Sequence, residues 1–178
     1  FGALQGVKVL SCLEQPEGCD ADVILGPPGS GKTHQTCAEV VDDIKHDEEF
    51  HGGNSNLRTL HVAWTRTGVL QILIKFIELA EKAGFTDIKK DCILIGHPDS
   101  EYLPSAISDV LVVPLTDHDL SDLLASDCRL HIFSTVAKLN APRKTEYVAA
   151  VDRLISSIGF LHIDCLLYTS PSPRDQLG

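Results

Sequence analysis

The chain has 178 residues, 43% of them hydrophobic and 22% charged, with a formal net charge of −10. That length suits one domain with a real core, and the composition is that of an ordinary globule. The acidic balance argues against nucleic-acid binding through a broad basic surface and leaves room only for a narrow groove of contacts. The apolar stretch at 69–80 is broken by Gln71, Lys75 and Glu78, which excludes a membrane span there. No signal peptide is visible at Phe1, and without an initiator Met the native start is expected upstream, so targeting is not readable. The six cysteines form no C-x-x-C pair, which argues against zinc. Cys37 and Cys128 lie in apolar settings and read as reduced, buried thiols, so an intracellular compartment, cytoplasmic or nuclear, is expected.

In chain order, residues 4–13 read as a short amphipathic helix with Leu4, Val7 and Leu10 on one side. Residues 15–21 are a polar loop, and Asp22-Val23-Ile24-Leu25 is a short buried strand. A helix is predicted over 34–45, with Cys37, Val40, Val41 and Ile44 at helical spacing, its acidic run a solvated face. Residues 46–56 are charged and rich in Gly and Asn, the signature of a mobile surface loop. A strand at 58–64, a helix at 67–82, a strand at 92–95 and a strand at 109–115 follow. Next come a helix at 117–126 with Thr116 as its cap, a strand at 129–134, a helix at 146–157 and a strand at 159–163. Strands alternating with helices predict an α/β domain, a mostly parallel sheet with helices on both faces.

The most informative stretch is Gly26-Pro27-Pro28-Gly29-Ser30-Gly31-Lys32-Thr33, which fits the phosphate-loop pattern G-x-x-x-x-G-K-[ST] at every fixed position. Strand, glycine loop and helix is the context that makes such a match physical. Gly29 and Gly31 allow backbone angles that a side chain would forbid, so successive N–H groups close around a phosphate. The helix start adds unpaired N–H donors and a positive dipole end. Lys32 supplies a compact cation to the outer phosphates, and the Thr33 hydroxyl is a hard ligand suited to Mg²⁺. ATP and Mg²⁺ are therefore the expected cofactors. Asp164 closes an apolar strand, where a carboxylate would project from the carboxyl edge of the sheet and share that ion.

The tail from Cys165 onward, beginning Cys165-Leu166-Leu167-Tyr168-Thr169-Ser170-Pro171, resembles the conceptual translation of a transposon-based sequencing adapter. On that reading residues 1–164 are the domain and 165–178 are not native. The last base of codon 164 then also belongs to the adapter, which leaves Asp or Glu open at that position.

The order of features resembles the superfamily 1 helicases, in particular the branch of the nonsense-mediated-decay RNA helicases. The loop is similar to that family's usual GPPGTGKT. Leu4-Gln5 resembles its upstream glutamine motif, which implies that Gln5 reads the adenine edge. Ala63-Trp64-Thr65-Arg66-Thr67-Gly68-Val69 is similar to motif Ia, often A-x-T-N-x-A-V, with Arg66 where Asn is common and Gly68 where Ala is common. It implies Thr65 and Arg66 on the backbone of a strand. Phe133-Ser134-Thr135-Val136 resembles a further strand-to-loop motif, which adds Thr135 to that contact. The resemblance implies a RecA-like P-loop NTPase domain, the ATP-binding half of a helicase or translocase acting on single-stranded RNA or DNA. Lys32 and Asp164 are its catalytic residues, with no membrane attachment. In that family a second RecA-like domain completes the site with arginines. This stretch alone is expected to bind nucleotide weakly and to turn over little. Two other readings stay open: an AAA-type or signalling ATPase that does not act on nucleic acid, and an inactive interaction module that kept the fold.

Overall fold

A computed structural model describes residues 8–11, 22–25, 27, 29–96, 102–114, 117–140 and 145–164. The strand β1 (Lys8–Ser11) pairs antiparallel with β2 (Asp22–Leu25), in register Lys8 with Leu25 and Ser11 with Asp22. Helix α1 (Lys32–Phe50) follows. The remaining strands are β3 (Arg58–Ala63), β4 (Cys92–Ile95), β5 (Leu111–Val113), β6 (Leu130–Thr135) and β7 (Phe160–Asp164). They form one sheet in the order β5-β4-β6-β3-β7, every pairing parallel. Helices α2 (Arg66–Lys82), α3 (Asp117–Ala125), α4 (Val136–Asn140) and α5 (Thr145–Ser157) fill the connections, with 3-10 turns at Ile88–Asp91 and Ser105–Ile107.

Parallel strands need both faces covered, and the sequence provides for it. Along β4, Cys92 and Leu94 face one side and Ile93 and Ile95 the other, and all are buried. The first side packs on α1 through Cys37, Val40, Val41 and Ile44, and on α2 through Val69, Ile72, Leu73, Phe76, Ile77 and Ala80. Both sets repeat at the three- and four-residue steps of a helix face. The second side packs on Leu123 and Leu124 of α3, Leu139 of α4 and Leu154 of α5. The domain is thus an α/β sandwich, a parallel sheet between two helical layers, the arrangement of Rossmann- and RecA-like folds. Among the described residues no helix is long and apolar enough to cross a membrane.

Several expectations are corrected. Residues 8–11 form a strand where a helix was predicted; the rest of that helix, with Gln5, lies outside the described residues. The strand ahead of the glycine loop is present, but it pairs with β1 and not with the parallel sheet. The predicted loop at 46–56 is helical as far as Phe50, and the acidic face is not wholly solvated. Glu48 pairs with Arg129, which also takes Asp91 at 2.7 Å, and Asp47 accepts from Ser55. Cys37 is buried, but Cys128 is exposed. Residues 165–178, Gly26, Pro28 and Thr116 lie outside the described residues.

Candidate functional site

At the start of α1 the backbone does what the glycines permit. Gly29 and Gly31 take φ of 74° and 88°, the left-handed region that side chains disfavour. The Ser30 N–H donates to Pro27 O at 3.2 Å, closing a tight turn. Gly31 stands at the N-cap and offers no side chain to the first-turn N–H groups. Donors that most helices satisfy with Ser, Thr, Asp or Asn are therefore left for something else. The Ser30 hydroxyl is buried and has no hydrogen-bond partner among the described residues. Lys32 folds back over the loop, its Nζ donating to Pro27 O at 2.8 Å.

Thr33 points from the first turn of α1 toward the end of β7, and its Oγ1 donates to Asp164 Oδ2 at 3.1 Å. The two residues are 131 positions apart in sequence. Asp164 reaches this place because β7 pairs with β3 up to Ala63, which makes Asp164 the last paired residue on the carboxyl edge. It faces the α1 layer, since Phe160, four residues before it and so on the same face of the strand, packs into that core. Its charge is felt further in. Burial, and after it the Asp164 carboxylate, push the Cys37 thiol up to about 12, while Lys75 opposes them. Cys37 is thus a core residue and not a nucleophile.

The pair can be tested against Mg²⁺. Octahedral coordination with oxygens at about 2.0–2.1 Å puts adjacent ligands roughly 2.9 Å apart. The Thr33–Asp164 separation lies close to that spacing, so both oxygens fit neighbouring positions around one ion. Among the described residues no group of three or more His, Cys, Asp or Glu forms a metal cage. Mg²⁺ needs none, since it commonly takes one or two protein oxygens and fills its shell with water and phosphate. Two open concavities lie away from this place. One of about 390 Å³ sits at the amino edge beside Arg58 and Gly159, and one of about 340 Å³ lies between Ile77 and Ile107. Neither gathers chemistry comparable to the loop.

The other expected positions stand on the same carboxyl edge, because Ala63 is in register with both Thr135 and Asp164. Thr65 is the N-cap of α2, its Oγ1 accepting from the Gly68 N–H at 3.0 Å. Thr135 repeats the device at α4, accepting from the Lys138 N–H at 3.2 Å. Both hydroxyls thus have a structural duty, and each keeps a proton to donate. Arg66 Nη2 donates to Tyr102 O at 2.7 Å, which ties the start of α2 to the segment ahead of β5. Gln5, Gly26 and Pro28 lie outside the described residues.

A polar chain beneath the site was not foreseen. His131 Nδ1 meets Thr59 Oγ1 at 2.7 Å, Thr59 Oγ1 meets His61 Nε2 at 3.0 Å, and His61 Nδ1 meets His162 Nδ1 at 3.1 Å. His131 Nε2 is buried without a partner among the described residues. An orphan acceptor is more readily tolerated than an orphan N–H. That choice sets the direction of the chain: His131 donates to Thr59, Thr59 to His61, and His61 to His162. Burial pushes His131 down to about 3, with Arg129 adding to it. It pushes His162 down to about 4 against the pull of Asp164. His61 is held well below its usual value by burial and by both neighbours. The sequence carries a signal for this cluster: Leu60-His61-Val62, Leu130-His131-Ile132 and Leu161-His162-Ile163 share the pattern Leu-His-β-branched on three strands.

Compared with protein-family models, curated proteins and solved structures, the chain finds no match in any of the three. The functional reading therefore rests on its own residues.

Proposed function

We propose that this chain is the ATP-binding unit of a nucleic-acid helicase or translocase of the P-loop type. The observation that carries the reading is the Thr33–Asp164 contact at the foot of a loop with two left-handed glycines. Neighbouring hard oxygens, uncapped helix N–H groups, a lysine and a partnerless buried hydroxyl are together what a magnesium triphosphate requires. An ordinary turn requires none of them in combination.

In this account the N–H groups around Gly29 to Thr33 hold the phosphates, and the Ser30 hydroxyl donates to one of their oxygens. Lys32 leaves Pro27 O and moves its charge to the outer phosphates. Thr33 Oγ1 and Asp164 Oδ2 are the oxygens that would hold the Mg²⁺. Mg²⁺, when bound, neutralises charge on the phosphate oxygens. Water is the nucleophile for the terminal phosphate. Thr65, Arg66 and Thr135 hold a single strand of RNA or DNA on the adjacent edge, close enough for the two ligands to influence each other.

Calorimetric titration with MgATP tests the loop. Losing one charge-assisted contact costs about 1.5–3 kcal/mol, so Lys32→Ala should weaken binding roughly ten- to hundred-fold. An unchanged affinity would remove the loop from the mechanism. ATP hydrolysis by the intact protein, with and without single strands, tests the class. Stimulation supports a translocase. Hydrolysis indifferent to RNA and DNA would favour an AAA-type or signalling ATPase.

A further inference from the structure

We propose that Trp64 and Tyr102 form a platform on which the bases of a single-stranded nucleic acid stack. The proposal rests on the strand-binding reading above and deepens it. Strand β3 is central in the sheet, between β6 and β7, and is buried from Thr59 through Ala63. The next residue, Trp64, is 53% exposed, and Tyr102 is 83% exposed. Leaving an indole half in water at the end of a buried strand forfeits much of the burial energy that an aromatic side chain offers. Among the described residues neither ring stacks on another aromatic, whereas Phe76 and Phe133 are fully buried and packed on each other. Arg66, two residues after Trp64, donates to Tyr102 O and so ties the backbone of Tyr102 to the start of α2. Ala63 pairs with Asp164, so the indole emerges one residue beyond the Thr33–Asp164 contact.

The surroundings point to the kind of partner. Thr65 and Arg66 follow Trp64 in the chain, and Thr135 and Lys138 stand on the same carboxyl edge, with Lys138 Nζ donating to Ile95 O at 3.0 Å. Hydroxyl and cationic donors beside flat π surfaces suit a polyanion that carries a ring on every unit. A duplex keeps its base faces stacked inside, so the fitting form is a single strand. Every base has a π face, and such a platform is tolerant of sequence. The adenine of one ATP would occupy one ring and leave the other unexplained.

Trp64 is the only tryptophan in the chain, so its emission reports on this place alone. The intact protein is titrated with labelled oligo-dT and oligo-U of about 12 nucleotides. Label anisotropy and tryptophan emission are followed together, at low and at higher salt. The expected result is binding by anisotropy with quenching of Trp64 at the same midpoint. Trp64→Ala should weaken binding by about ten-fold, Trp64→Phe should keep most of it, and Tyr102→Ala should lose a smaller factor. Stacking releases no counterions, so Trp64→Ala should leave the slope of log affinity against log salt unchanged, unlike loss of Arg66. Thermal melts of each variant check that it folds. Oligonucleotide binding without quenching, or equal affinity in Trp64→Ala, would overturn the platform and spare the strand-binding reading. Quenching by MgATP alone, to the same depth, would reassign the indole to the nucleotide base and also overturn it. No oligonucleotide binding at all would overturn both.

Discussion

On the side of the sheet covered by α3 and α5, the buried strand residues are mostly aliphatic, among them Leu60, Val62, Ile93 and Ile132, with the small hydroxyl of Ser134 buried beside Val62. The side covered by α1 and α2 instead buries Thr59, His61, His131 and His162 among Phe76 and Phe133, with His61 stacked on Phe133 at 4.5 Å. One layer is held by area and shape. The other is also held by a directed chain of hydrogen bonds that works only with neutral imidazoles, and it ends two residues from Asp164. The difference teaches where the site is coupled to the fold. The aliphatic layer can be repacked without concern for charge, whereas the histidine layer links register, protonation and the carboxylate.

Acid is the strongest way to separate the two layers. His61 and His131 stay neutral in the folded state, but titrate near 6.5 once unfolded. Below that pH the unfolded chain binds more protons than the folded one, so stability falls as pH falls. Two units down, at pH of about 4.5, His131 alone has removed about 2.7 kcal/mol, and His61 acts in the same direction. Urea midpoints measured from pH 7 downward should show this. Leu154→Ala, on the aliphatic side, should leave the pH slope as it is, and His131→Leu should flatten it. A flat profile in the unaltered protein would break the comparison.

Next in size are core truncations. Phe133→Ala should cost about 3–5 kcal/mol and Leu154→Ala about 2–5 kcal/mol by urea unfolding, since both side chains are fully buried. The Phe133 change also removes the ring that His61 stacks on, so it should couple with His61 substitutions in a double-mutant cycle. Leu154→Ala should not couple. A smaller effect is expected at Arg129, which joins Glu48 of α1 to Asp91 and lies over the Phe85 ring. Arg129→Ala should lower stability by about 1–3 kcal/mol in the same assay. Smallest is Glu78, whose exposed carboxyl is held down to about 2 by Lys82 and Lys75. Glu78→Gln should leave the unfolding midpoint where it was, because such surface pairs are screened.

The sheet was legible because its signals are local. β4 is the four-residue apolar run itself, and α2 repeats its buried residues at helical steps. The end of α1 was not legible, because its last turns are held by Glu48 reaching Arg129, a partner 81 positions away. The helix reading of the first segment failed for a different reason. Val7 and Leu10 fit a helix face while Val9 and Leu10 fit a strand, and pairing with β2 decided for the strand over Lys8–Ser11. At the site, the glycine loop is a contiguous pattern and could be read directly. That Asp164 would stand opposite Thr33 was expected from a carboxylate closing an apolar strand, whereas the strand order that brings the two together is encoded by no local pattern. The histidine chain needed register as well, since the repeated Leu-His triplets acquire meaning only when Thr59 pairs with His131 and His61 with His162.

The account turns on whether Thr33 and Asp164 serve one ion. The most direct measurement is ADP affinity with and without Mg²⁺, in the unaltered chain and in Asp164→Ala. The expected result is an affinity gain from Mg²⁺ that shrinks about ten-fold in the variant, while Mg²⁺-free affinity stays the same. An undiminished gain from Mg²⁺ in Asp164→Ala would contradict the account.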